Sequence, residues 1–163
     1  KKLGMEKEVI LKGYFMPGEL KKKMKEHWAG IEDGTFYYMP ILNLNFSGKK
    51  ESKSEEASAW SIKVFEAWQA QNRVPGAYEL CIAKETPVVV LERLKAMQKD
   101  GGPRIWINTL WDSLCAGHTD ERGFKGDPDG SWGWALENGA TMIQTDRPVE
   151  LIKYLESKGR RNL

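Results

Sequence analysis

The chain has 163 residues, with 25 Lys and Arg against 23 Asp and Glu and a formal net charge of +2. That length supports one domain, residues 1–163, with its own core, and the near-cancelling charge leaves no basic footprint for nucleic acid. No apolar run approaches the ~20 residues of a bilayer span, so no membrane span is expected.

Residue one is Lys rather than Met, and Lys1–Lys7 reads as a helix tail running into a strand, which fits a processed or truncated polypeptide. Val9–Leu11 is a short apolar strand ending at Lys12, and Pro17 opens a helix over Gly18–Trp28. The run Lys21–Lys23 lies on that helix and reads as a solvated face. Thr35–Leu44 is a second strand, with Pro40 marking an end or bulge. The polar stretch Ser47–Glu56 reads as a loop, followed by a helix with Ala57, Trp60, Val64, Ala67 and Trp68 on one face.

A third strand spans Ala77–Ala83, and a helix begins at Thr86 or Pro87 with Val90, Leu91, Leu94 and Met97 as its apolar stripe. Asp100-Gly-Gly-Pro103 ends it. Arg104–Leu110 is the fourth strand; a long polar segment, Trp111–Ser131, and a short helix, Trp132–Glu137, follow. Thr141–Gln144 is the fifth strand, and Pro148 opens the last helix, Val149–Lys158. The two cysteines, Cys81 and Cys115, have no metal-site spacing and read as a buried thiol and a loop thiol.

Strand and helix alternate five times without a hairpin signal, so an α/β fold with a parallel sheet is expected. A doubly wound sheet normally carries a Gly-rich first turn, and no G-x-G-x-x-G is present. The other architecture is part of a (β/α)8 barrel, which needs eight strands and about 250 residues to close. Five parallel (β/α) units would then be a partial TIM barrel, with two open sheet edges prone to self-association.

Gly139-Ala-Thr-Met-Ile-Gln-Thr-Asp-Arg-Pro148 resembles the closing strand of the glycerophosphodiester phosphodiesterase family, where Gly-x-Asp-Gly-Ile-Ile-Thr-Asp-x-Pro precedes the last helix. Arg104-Ile-Trp-Ile-Asn108 is similar to its preceding Val-Trp-Thr-Val-Asn strand, with the Asn shifted one place; Ala140–Met142 depart from the family's Val-Asp-Gly. The segments at Val9–Gly13, Tyr38–Leu42 and Tyr78–Leu80 fall where the family has its fourth, fifth and sixth strands. The resemblance implies metal-dependent hydrolysis of a small-molecule glycerophosphodiester to glycerol 3-phosphate and an alcohol. It also implies a divalent cation, Mg or Ca, and, by analogy with bacterial relatives, export or a periplasmic location.

The family's catalytic His-Arg pair and Glu-x-Asp are absent, since His27 and His118 are the only histidines and neither precedes Arg. The resemblance therefore places catalytic residues upstream of Lys1 and the missing barrel strands in the same or another chain. This chain alone is expected to be inactive, while the intact protein is expected to be a phosphoric diester hydrolase. The alternative is a non-catalytic ligand-binding or scaffold module on a degenerate barrel.

Five residues stand out as substrate-binding candidates. Glu79 lies among Tyr, Leu, Cys and Ile in the third strand; it points into the lumen, where it is the one candidate metal ligand, or is an exposed or salt-bridged strand residue. Lys12 meets a phosphate oxygen or is a solvated strand end. Trp106 lines the pocket, as the resemblance suggests, or packs in the core. Asn108, like Asn43, binds a substrate hydroxyl or stabilises a loop, and His118 is read as a rim residue over the pocket.

At the rim of the last strand, Thr145 and Asp146 orient neighbours, or Asp146 caps the final helix. Arg147 is either an anion contact or a surface arginine. Asp127-Pro-Asp-Gly130 is a turn sequence. Neither it nor His118-Thr-Asp-Glu121 has the spacing of a metal site.

Overall fold

A computed structural model describes residues 4–27, 37–44, 51–71, 74–83 and 89–161. A short 3-10 turn, Glu6–Glu8, leads into β1 (Ile10–Gly13) and α1 (Pro17–His27). β2 (Tyr37–Leu44) and α2 (Glu51–Gln69) follow, then β3 (Ala77–Ile82), α3 (Val89–Gln98) and β4 (Arg104–Asn108). After β4 the chain forms α4 (Asp120–Phe124) and α5 (Trp134–Glu137) before β5 (Met142–Gln144) and α6 (Pro148–Ser157).

The five strands pair in chain order, β1-β2-β3-β4-β5, and every pairing is parallel. The sheet curls into half of a barrel with helices between its strands, so the fold is an α/β partial barrel. Sequential parallel pairing needs a long crossover between neighbours, and the helices provide it. Among the described residues no helix is long and apolar enough to cross a membrane.

Successive side chains of a strand point to opposite faces, which divides the sheet in two. Leu42, Leu44, Tyr78, Leu80, Ile82, Ile105 and Ile107 face outward and form one buried cluster with Val64 and Phe65 of α2 and Val90, Leu91 and Leu94 of α3. Phe65 meets the Tyr78 ring edge-on at 5.4 Å between centroids. The opposite parity, which includes Lys12, Asn43, Glu79, Cys81, Trp106, Asn108 and Gln144, lines the concave face. The register fixes this set, because Asn43 pairs with Cys81, Glu79 with Trp106 and Asn108 with Gln144.

Several local expectations change. The loop expected at Ser47–Glu56 gives way from Glu51 onward to the first turns of α2, because Glu, Lys and Ala favour a helix however polar the stretch is; residues 47–50 lie outside the described set, as does the expected helix start at Thr86 or Pro87. The face of α2 against the sheet is centred on Ser61, Val64 and Phe65, and Trp60 turns outward. Ser61 is buried because its Oγ accepts the Asn43 backbone N–H at 2.9 Å. The α1 helix starts at Pro17, and β4 stops at Asn108 rather than Leu110. The turn before α5 is a single π-helical turn, Asp129–Gly133, that takes in Trp132.

The junction from β1 to α1 is held by aromatic groups. Phe15 N–H donates to the Tyr38 hydroxyl at 3.1 Å, the Trp68 indole donates to the Phe15 carbonyl at 3.1 Å, and the Tyr38 and Trp68 rings stack at 5.3 Å. A Cβ at Gly13 would approach the Tyr38 hydroxyl to 3.2 Å, tighter than ordinary packing.

Phe65→Ala should empty the middle of the layer between α2 and the sheet. A loss of about 3–5 kcal/mol is expected in urea unfolding, with the transition still cooperative.

Candidate functional site

At the centre of the concave face, neighbouring strands bring together three of the expected residues. Lys12 Nζ lies 3.0 Å from Glu79 Oε2 and 5.5 Å from the centre of the Trp106 ring. Glu79 is 4% exposed, so its carboxylate is withdrawn from water, while Lys12 remains half open. At that distance the Lys12 ammonium offsets the Glu79 charge and satisfies this oxygen. The Trp106 Nε1 donor is buried without a partner among the described residues. Both open readings of Glu79 thus meet in one residue, which faces the concavity and is ion-paired.

Asn108 lies one step nearer the C-terminal ends of the strands, on the same face as Trp106. Its Nδ2 donates to Gln144 Oε1 at 3.1 Å, and its Oδ1 accepts the Leu110 N–H at 3.0 Å. On the β1 side, the Tyr14 phenol bonds the Asn43 side chain; burial raises its pKa above the ordinary value, and the Asn43 bond pulls it partly back. Asn43 is therefore both a β2 end residue and part of the polar lining.

His118 is not brought to this group. Its ring stacks on Trp134 at 4.3 Å with the planes nearly parallel, and its Nδ1 faces the Gly130 carbonyl as a donor. The side chain is buried within the segment after β4. The sequence separates Trp134 from His118 by the whole Asp127–Gly130 turn, so no local pattern signals the stack.

That segment is organised by Asp120, which lies in the His118-Thr-Asp-Glu121 run. Asp120 Oδ1 accepts the Trp132 indole N–H at 2.7 Å and the Thr145 hydroxyl at 2.8 Å, with the Thr109 hydroxyl 2.7 Å away. Its Oδ2 accepts the Asp146 backbone N–H at 2.7 Å. Several donors satisfy the oxygens of this buried carboxylate. The bonds tie the ends of β4 and β5 to α4.

This network also displaces the expected cap of α6. The N-cap position is Arg147, with no side-chain cap bond, and the Thr145 hydroxyl accepts the Arg147 N–H at 2.9 Å. Asp146 contributes its backbone to Asp120 and does not cap the helix. Arg147 pairs with Glu121 at 3.2 Å and lies 4.1 Å over the Phe124 ring. The Arg147 bond is the leading reason the Glu121 carboxyl sits below its ordinary range.

The turn after α4 behaves as its sequence implies. Asp127 Oδ1 accepts the Gly130 N–H at 2.8 Å while its Oδ2 takes the Arg122 Nε–H at 2.7 Å, and the Arg122 bond holds that carboxyl low. Just before it, Ala116 adopts φ 50, a left-handed conformation unusual for a residue with a Cβ. Its N–H donates to the Ile82 carbonyl at 2.7 Å, which docks the segment on the end of β3.

A divalent cation with oxygen ligands wants several carboxylate or carbonyl donors. Among the described residues no three His, Cys, Asp or Glu side chains come together, and the one carboxylate at the centre of the concave face already has an ammonium 3.0 Å away. These residues do not by themselves fit a cation site.

The chain is thus an α/β protein built as a partial parallel barrel whose concave face carries the Lys12–Glu79 ion pair beside Trp106. It belongs to the DUF4996 family, described as a domain of unknown function, whose family model matches residues 38–155. No curated protein matches it.

Two outcomes follow from this geometry. Asp120→Ala should strand the Trp132, Thr145 and Asp146 donors, and about 3–5 kcal/mol of stability should be lost in denaturant titration. Unchanged stability would contradict the bridging role. Cys81 and Cys115 are both buried, and burial pushes each thiol up to about 12, with Glu79 adding to the effect at Cys81. The thiolate is the reactive form, so a disulfide reagent at pH 8 should leave both unmodified in the folded protein and react with both after unfolding. The expected loop thiol, Cys115, is therefore as protected as the strand thiol.

Proposed function

We propose that this chain forms part of the substrate-binding wall of a glycerophosphodiester phosphodiesterase-like hydrolase. The observation that carries the reading is the grouping of Lys12, Glu79, Trp106 and Asn108 on the concave face of a parallel half-barrel. Parallel barrels place their chemistry at the C-terminal ends of their strands, and Asn108 and Gln144 occupy such ends. The segment resembling that family's closing strand, Gly139–Pro148, supplies Gln144 to this wall.

In this reading, the chain's own residues bind and orient a small glycerophosphodiester. The acid–base histidines and the ligands for Mg or Ca come from outside the described residues. No step of hydrolysis is assigned to the side chains described above.

The test is an assay of the intact polypeptide on glycerophosphodiesters, with and without chelator. Hydrolysis that chelator abolishes, and that falls by about tenfold or more in kcat/KM for Glu79→Gln, is the expected outcome. Chelator-insensitive turnover would remove the cation from the reading. No turnover at all would favour the ligand-binding module.

A further inference from the structure

We draw no further inference here: the strongest candidate, the outer edge of β1 with the exposed Val9, Ile10 and Tyr37 beside it, is an apolar face without a partner among the described residues, and nothing in the structure shows what covers it.

Discussion

Everything on the concave face depends on the register of the parallel strands. Alternation has a period of two, so a slip of one residue would exchange the two faces of a strand. In β3 such a slip would place Glu79 against α2 and α3 and bring Tyr78 and Leu80 into the concavity. The outward parity prevents this, because Tyr78, Leu80 and Ile82 are fully or almost fully buried under the helices. Hydrophobic burial on the outer face therefore determines where the polar groups of the inner face must be. Glu79 meets Lys12 and Trp106 because Leu80, Leu42 and Ile105 have nowhere else to go.

A second constraint acts at the ends of β4 and β5. These strands are short, and β5 has only three residues, too few for its backbone ladder alone to hold the rim. Asp120 joins Trp132, Thr145 and the Asp146 backbone, with the Thr109 hydroxyl alongside. Thr109 in turn lies 2.9 Å from the Gln144 carbonyl, so the network reaches the strand that carries the Asn108–Gln144 amide pair. The long polar segment after β4 is thus a brace for the C-terminal side of the sheet. His118 belongs to that brace through its stack on Trp134.

Much of this architecture is legible in the chain itself. Strands such as Arg104–Asn108 announce themselves by buried aliphatics on one parity, and Glu79 stands out because an acid interrupts such a run. What is not legible comes from contacts between distant residues. Asp146 has the sequence setting of a helix cap, yet a carboxylate in α4 takes its N–H and leaves the cap position to Arg147. Cys115 lies in a polar segment but docks beside Ile82 and is fully buried. The start of α2 reads as a loop because polarity and helix propensity point in opposite directions over Glu51–Glu56, and propensity prevails.

The site residues illustrate the same limit at the level of chemistry. Lys12 at the end of an apolar strand suggests an anion contact, and Glu79 in a buried strand suggests a metal ligand or a lumen acid. Each suggestion treats its residue alone. Once β1, β2 and β3 are in register, the two charges face each other at 3.0 Å and largely cancel. Among the described residues, the hydrogen-bonding capacity left on this face then lies in neutral amides and in the Trp106 indole.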